Sequence, residues 1–220
     1  DHEAVFEVIQ QNQAKKTFQE AKKIVRYLPD EPANVACEES VIHLPVSIPK
    51  VSIGIKESNE QLEKELFLKR EVIQSMLLDY FFSESGPFYE KLYDNELIDD
   101  TFNFSTTVEN SFSFSLISSN SAKPEQFSKR MKELLLSTKN MTITEKHLDV
   151  MKKKRIGQTL RAMNSLDYTA IQYVQYHYVD VDLFQKNAFI QSLTVDEVND
   201  FLQNWIDEEK LTVCTIENAN

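Results

Sequence analysis

The sequence predicts an α+β fold: an antiparallel or mixed sheet with helices packed mainly on one face. Three segments, at 50–56, 101–108 and 111–118, alternate apolar with polar residues, which is typical of half-buried strands. An apolar run at 211–216 closes the series, and the stretches between the segments carry apolar residues at helical spacing. Because two of the strands follow each other directly, a hairpin within such a sheet is favoured over a purely parallel arrangement.

The first part of the chain is predicted to lead into this domain. Residues 2–27 carry apolar residues near the helical period with no proline among them, so they are predicted as one long helix. The stretch 28–49 contains four prolines and no helical periodicity, as an ordered linker does. We therefore assign 1–27 to the C-terminal helix of a preceding, absent domain, 28–49 to a linker, and 50–220 to the domain proper.

Capping and breaking residues predict where the first helices of the domain begin and end. Ser58 and Gln61 have the spacing of a capping box, so a helix is expected from about 59 to 82. Gly86 and Pro87 then end that helix and begin a short second one, because glycine is permissive and the fixed φ of proline suits a first helical turn.

The remainder of the domain is predicted to be one hairpin followed mainly by helices. Glu109 and Asn110 are expected to form a tight turn between the strands of the hairpin. Helices are then predicted at 124–137, 166–178 and 181–191. Two more are predicted to begin at capping boxes: one at Thr142 and Glu145 that runs to about 163, and one at Thr194 and Glu197 that runs to about 207.

Composition argues against several classes of partner. A net charge of −11 disfavours nucleic acid, which needs a concentrated basic surface. The one basic run, Lys152–Arg155, lies in a helical pattern and is interpreted as a solvated helix face rather than a binding patch. No apolar run reaches the roughly 18 residues of a membrane span, so no membrane is expected. Cys37 and Cys214 match no metal or redox spacing, which points to unpaired thiols and a cytoplasmic location.

The sequence carries no catalytic or metal-binding motif. Its four histidines do not occur in pairs one helical turn apart, whereas a zinc site needs at least three converging ligands. A G-x-S-x-G nucleophile motif is absent, and the three glycines form no phosphate-binding loop. We therefore assign no catalytic residue, metal ligand or cofactor to this chain.

Several segments, taken in order, resemble one family. They are KVSIGIKE at 50–57, YFFSESGPFYEKLYDNELIDD at 80–100, the hairpin at 101–116, KKKRIGQTLRAMNS at 152–165 and SLTVDEVNDFLQNWIDEEKLTVC at 192–214. Together they are similar to the C-terminal half of a bacterial insulinase/pitrilysin-family zinc metallopeptidase, an inverzincin, of the short, two-domain kind.

This resemblance implies a role and a set of partners. The chain would be the non-catalytic half of a two-domain clamshell that encloses a peptide, with zinc carried by the absent N-terminal half. Its partners would be its own N-terminal domain, the peptide substrate and a second insulinase-family subunit, in a homodimer or heterodimer. One alternative is a proteolytically inactive relative that acts as an assembly or scaffold subunit. Another is an acidic binding module unrelated to peptidases.

The resemblance also implies substrate contacts near the short helix. In many relatives that helix supplies an arginine and a tyrosine that hold the substrate carbonyl, and these positions fall at Tyr93 and Asp99. The family's glycine-leucine-alanine-tyrosine ending, or a similar one, reads Glu-Leu-Ile-Asp at 96–99 here. Tyr93 retains a donor, but Asp99 places a negative charge where an electrophilic donor is expected. Either a partner subunit supplies the pair, or the protein has lost hydrolysis.

Phe88 and Tyr89 are two further candidates for peptide contact. They belong to an aromatic cluster around the Gly86–Pro87 turn that would take peptide side chains if it faced the substrate chamber. The alternative is that the cluster packs in the core, where aromatic side chains bury large areas.

Overall fold

The structure, a computed structural model, describes residues 1–20, 25, 27, 32–57, 64–109 and 111–219. The chain divides into two compact units, Asp1–Asp30 and Glu31–Asn220. The first unit contains helix α1 (His2–Ala14), whose N-terminus is capped by the carboxylate of Asp1.

Helix α1 is shorter than the helix predicted over 2–27. It ends at Ala14 and none of its residues is buried, while the described residues 15–20 contain no further helix. A short helix that buries no apolar face depends on propensity alone, and isolated helices of this length are marginal in water. The periodicity of the sequence therefore overstates the helix.

Five strands of the described residues form one mixed sheet. They are β1 (Glu39–Leu44), β2 (Lys50–Lys56), β3 (Asn103–Val108), β4 (Ser113–Asn120) and β5 (Leu211–Asn218). Their order across the sheet is β1-β5-β2-β4-β3. Strand β1 runs parallel to β5, and all other neighbours are antiparallel. The predicted α+β class with a mixed sheet is confirmed.

Strand β1 lies within the stretch 28–49 that the sequence predicts as a linker. All six of its residues are exposed. The strand therefore has no buried face, and its sequence shows no alternation of the kind that marks a half-buried strand. Pairing with β5 holds it in place: Glu39 lies opposite Val213, whose amide donates to the carbonyl of Glu38 at 2.8 Å. Residues 39–44 thus belong to the sheet because of edge pairing rather than burial.

Seven further helices are described in the second unit. They are α2 (Lys64–Phe82), α3 (Tyr89–Tyr93), α4 (Pro124–Ser137), α5 (Glu145–Ala162), α6 (Leu166–Tyr178), α7 (Lys186–Ser192) and α8 (Val195–Trp205). The predicted capping box at Ser58 lies outside the described residues. None of the helices in the described part of the chain is long and apolar enough to cross a membrane.

Threonine caps begin two of these helices. Thr194 caps α8 as predicted, and its own amide donates to the Glu197 carboxylate at 2.9 Å. For α5 the sequence predicts Thr142 as the cap, but Thr144 accepts from the helix instead. The reason lies one residue earlier, where the amide of Ile143 donates to the side chain of Asn199 at 2.8 Å and keeps the chain extended as far as Thr144.

The core lies between the helices and one face of the sheet. Val51, Ile53 and Ile55 of β2 are fully buried, as their alternation predicts. Helix α2 packs on β3, and α4 packs on β2 and β5. Each such aliphatic side chain stabilises the fold by about 1.5–3 kcal/mol relative to exposure. Strand β2 therefore anchors the sheet to the helical layer.

The buried face of β4 carries three serines and one apolar residue, Ile117. Ser113, Ser115 and Ser119 are buried, whereas Phe114 is half-buried and Leu116 is exposed on the opposite face. Ser115 is buried because its hydroxyl belongs to a buried hydrogen-bonded cluster. The alternation at 111–118 correctly predicts a strand but not which of its faces packs against the helices.

Candidate functional site

The turn between α2 and α3 positions the predicted substrate-contact residues. The amide of Phe88 donates to the carbonyl of Phe81 at 3.0 Å, which folds the chain back over the end of α2. Gly86 has no positive φ. A Cβ at this position would lie 2.6 Å from the carbonyl oxygen of Phe81 and 2.7 Å from that of Tyr80. Glycine is therefore needed for close backbone approach rather than for its conformational freedom.

Phe88 belongs to the core. Its side chain is 1% exposed. Its ring stacks on that of Phe81 with the centroids 4.8 Å apart and meets the edge of Phe82 at 5.5 Å. A side chain enclosed in this way presents no surface to a peptide, so the core alternative describes Phe88 and we do not retain it as a substrate contact.

Tyr89 and Tyr93 line a cleft of about 490 Å³ beside α3. Their rings are nearly parallel, 12° apart in angle with centroids 6.0 Å apart, and Tyr93 is 59% exposed. Carboxylates of Glu84, Glu90 and Asp94 line the same cleft. Tyrosine faces beside carboxylates suit a cationic or hydrogen-bonding group. Of the predicted contact residues, these two lie together at one cleft.

A residue in the left-handed conformation follows helix α3. Glu96 has a φ of 54°, and the amide of Leu97 donates to the carbonyl of Leu92 at 3.0 Å. Both leucine side chains are buried. This is a Schellman-type ending, in which glycine is the usual left-handed residue. The resemblance aligns Glu96 with the glycine of the family motif, and the conformation of Glu96 supports that alignment.

Asp99 is occupied by the turn that follows α3. Its carboxylate accepts a hydrogen bond from the amide of Thr101 at 2.9 Å and another from the Thr101 hydroxyl. Burial acts to raise the pKa of Asp99, but the hydrogen bonds outweigh it and hold the pKa below its ordinary value. Asp99 thus supplies an ionised acceptor where the aligned tyrosine of the family would supply a donor.

No group of three His, Cys, Asp or Glu side chains within the described part of the chain is placed to hold a metal ion. The histidines are dispersed: His2 lies on α1, His43 on β1, His147 on α5 and His177 on α6. The ring of His147 is 3.3 Å from the hydroxyl of Tyr80, which links α5 to α2.

A buried polar cluster that no sequence pattern indicated joins β4, α2 and α8. Glu57 is 7% exposed, and its carboxylate accepts from Trp205 Nε1 at 3.0 Å and from the Ser115 hydroxyl at 3.2 Å. The side-chain amide of Gln74 also donates to it. Burial raises the pKa of Glu57 to about 7, against the opposing effect of the hydrogen bond from Trp205. The residues of this cluster are too far apart in sequence to form a motif.

The basic run Lys152–Arg155 is not the uniformly solvated face that its composition suggests. Lys152 Nζ donates to the carbonyl of Gln191 at 2.9 Å. Lys154 Nζ lies 2.7 Å from a carboxylate oxygen of Asp79. The run therefore ties α5 to α7 and α2, so part of its charge has a structural role.

The sheet face opposite the helices has small side chains at its centre. The hydroxyls of Ser52 and Ser118 lie 2.8 Å apart on neighbouring strands. Gly54 lies between Leu116 and Thr212, and a Cβ on it would come within 2.8 Å of Thr212 Cγ2. The centre of this open face is consequently flat and carries hydroxyl groups.

Sequence comparison identifies the family of this chain. A family model described as "Peptidase M16 inactive domain" matches residues 1–155. YmfH, an uncharacterized zinc protease of Bacillus subtilis (strain 168), is 34% identical over 217 residues, which cover 98% of this chain and 50% of that protein. The chain therefore spans about half the length of this curated relative.

Solved structures share the fold. One described as an M16-like peptidase from Alicyclobacillus acidocaldarius has a TM-score of 0.90 at 26% identity, over 100% of this chain and 52% of that one. A protease from Helicobacter pylori has a TM-score of 0.80 over 99% of this chain and 52% of its own, and its 17% identity shows the fold alone. The resemblance drawn from the sequence is confirmed: the chain belongs to the peptidase M16 family and corresponds to its inactive domain.

Proposed function

We propose that this chain is the non-catalytic half of a two-domain zinc metallopeptidase, in which it encloses and positions a peptide substrate. The observation that carries the proposal is the one-sided sheet: its helices cover one face, and on the opposite face Ser52 is half-buried and Leu116 is exposed. The match to an inactive domain, and the coverage of half of a zinc protease relative, support it. Zinc would be held by the N-terminal half.

The open face suits one wall of a peptide chamber. At its centre, Ser52 and Ser118 offer hydroxyls to polar groups of an extended chain. Toward one edge, Phe114 and Leu116 offer apolar contact to side chains. Among the predicted contact residues, Tyr93 is the best placed to donate a hydrogen bond to a substrate carbonyl, and stacking on Tyr89 restrains its ring.

A second candidate function is an assembly or scaffold subunit without proteolytic activity. The observation that favours it is Asp99, whose carboxylate is held in its own turn and supplies no donor. The same observation also fits a peptidase in which a second family subunit supplies the missing donor. We further propose a cytoplasmic location, on the basis of the free thiols of Cys37 and Cys214.

The test is peptide cleavage and zinc content in the full-length protein. We expect bound zinc and chelator-sensitive cleavage of quenched fluorescent peptides. Tyr93→Phe should lower kcat/KM by up to about tenfold with zinc content unchanged, because it removes one neutral hydrogen bond. Tyr173→Phe, at a tyrosine 51% exposed on α6, is the matched control and should have no effect.

The outcomes separate the two candidate functions. Zinc-dependent cleavage supports the peptidase, and cleavage that appears only when a second family chain is co-expressed supports a peptidase in which that chain supplies the missing donor. A folded protein without bound zinc and without cleavage in any pairing contradicts the peptidase proposal and favours the scaffold. Equal kcat/KM for Tyr93→Phe and the wild type removes Tyr93 from the proposed site.

A further inference from the structure

A second cleft, of about 460 Å³, opens between α2, the edge strand β3, and helices α5 and α6. Its polar lining includes Glu71 and Asp79 of α2, Arg155 and Gln158 of α5, and Tyr168 of α6. Leu78 and Phe104 add an apolar wall. The volume lies within the roughly 300–1,000 Å³ typical of small-molecule sites.

Both carboxylates of this cleft already have cationic partners. Lys186, which is 3% exposed, places its Nζ 2.7 Å from Glu71 Oε1. The hydroxyl of Tyr176 also donates to the Glu71 carboxylate. Asp79 pairs with Lys154 at 2.7 Å. Each carboxylate therefore already has an ammonium group at hydrogen-bond distance.

Arg155 is the cation that remains underpaired. Its Nη2 lies 3.9 Å from Glu71 Oε1, too far for a hydrogen bond. Its Nε is buried and has no hydrogen-bond partner among the described residues. Buried donors without a partner are rare in folded proteins, and each one calls for an explanation.

The contact of Glu71 with Lys186 explains why Glu71 does not turn toward Arg155. Burial lowers the pKa of Lys186, and the attraction of the Glu71 carboxylate opposes this effect. If Glu71 moved to Arg155, it would leave a buried ammonium group without a counter-charge, which is strongly unfavourable. Three cations thus share two carboxylates at this cleft, and the unbalanced positive charge lies on Arg155.

We propose that this cleft binds a small carboxylate with an apolar body, and that the guanidinium of Arg155 is its anchor. A planar guanidinium matches the two oxygens of a carboxylate, and charge-assisted bonds of this kind are the strong ones. Gln158 and Tyr168 line the same cleft and supply further donors, while Leu78 and Phe104 accommodate the apolar body. Counted together, Lys154, Lys186 and Arg155 against Glu71 and Asp79 give one net positive charge at this cleft, in a chain whose net charge is −11.

The proposal is tested by isothermal titration calorimetry on the full-length protein. The probes are phenylacetate, N-acetylphenylalanine and the uncharged N-acetylphenylalaninamide. We expect saturable binding of at least one acid, with the amide at least about tenfold weaker. Arg155→Gln should weaken binding of that acid by at least about tenfold. Arg161→Gln, at an exposed arginine of the same helix, should leave it within about twofold.

Each outcome bears on the proposal. Tighter binding of phenylacetate assigns the site to free organic acids, and tighter binding of N-acetylphenylalanine assigns it to the carboxyl end of an amino acid or peptide. Equal binding of N-acetylphenylalanine and its amide, unchanged binding by a folded Arg155→Gln variant, or no saturable binding of either acid up to about 20 mM overturns it. If Arg155→Gln unfolds, two measurements decide the question: the binding of the acid by Arg155→Lys, and the comparison of acid with amide binding in the wild type.

Discussion

Replacement of Glu57 by glutamine should abolish most of a pH dependence built into the core of the second unit. In the folded chain, burial raises the pKa of this carboxyl from its ordinary 4.5 to about 7. Folded protein therefore retains the Glu57 proton over a range in which unfolded protein has released it. The raised pKa gives stability that is fully present below pH 4.5 and is lost as the pH rises through about 7.

The size of the effect follows from the two pKa values. Each unit of pKa difference corresponds to about 1.4 kcal/mol. Between pH 4.5 and 7 the free energy of unfolding should fall by roughly 3 kcal/mol on account of Glu57, and it should change little from this source above pH 8. Glutamine keeps the shape and an acceptor oxygen but cannot ionise, so the Glu57→Gln variant should gain on the wild type by this amount across the range.

The assay is urea unfolding of the 220-residue chain between pH 5 and pH 8, followed by fluorescence. Trp205 is the single tryptophan, and its indole N–H donates to Glu57, so the probe reports on the cluster itself. Glu65→Gln, at an exposed glutamate of α2, serves as the control and should parallel the wild type. If the difference between Glu57→Gln and the wild type is the same at every pH, the assigned ionisation of Glu57 is wrong.

Three further predictions concern stability in the same assay. Gly86→Ala should destabilise the fold by about 1–3 kcal/mol because the new Cβ would meet backbone oxygens. Gly157→Ala, whose Cβ would have nothing within 4 Å, should instead stabilise helix α5 by about 0.5–1 kcal/mol. Equal effects of the two substitutions would contradict the close contact at Gly86. Glu96→Gly should raise stability by about 1 kcal/mol by relieving a φ of 54°, and a loss would refute the left-handed assignment. A hydrogen bond from Lys69 lowers the pKa of Glu197 to about 2, so this carboxylate stabilises the fold above pH 4.5 and the contribution is lost as the pH falls toward 2. Glu197→Gln should therefore lower the free energy of unfolding by less than about 1 kcal/mol at pH 7, because the carboxylate is partly exposed, and by less still at pH 3. A loss of stability that grows on acidification would contradict this.

The elements predicted correctly are those whose local pattern and tertiary environment agree. The alternation of β2 places three apolar side chains in the core, and Thr194 begins α8 because its cap is complete within four residues. Strand β1 has no such pattern, since it is formed by pairing with a distant strand and buries none of its own residues. The buried face of β4 was likewise unpredictable, because Ser115 is retained inside by partners remote in sequence.

The candidate sites show the same division. The Gly86 turn and the aromatic residues around it were visible in the sequence, although burial excludes Phe88 and the resemblance alone pointed to Tyr93. The Glu57 cluster and the Arg155 cleft were not visible. Each is assembled from several elements, and the property that matters in each, a buried carboxylate or an underpaired cation, depends on distances that no local spacing encodes.

The position of β5 between β1 and β2 governs the order in which the sheet can form. The hydroxyl of Thr212 donates to the carbonyl of Cys37 across a sequence separation of 175 positions. During synthesis, the segment that becomes β1 emerges early but has no partner until the residues of β5 emerge. Its exposed apolar side chains, Val41, Ile42 and Leu44, remain open to competing contacts throughout that interval. Long-range parallel pairing of this kind is slow, so the β1 edge of the sheet stays exposed to misassembly until β5 has formed.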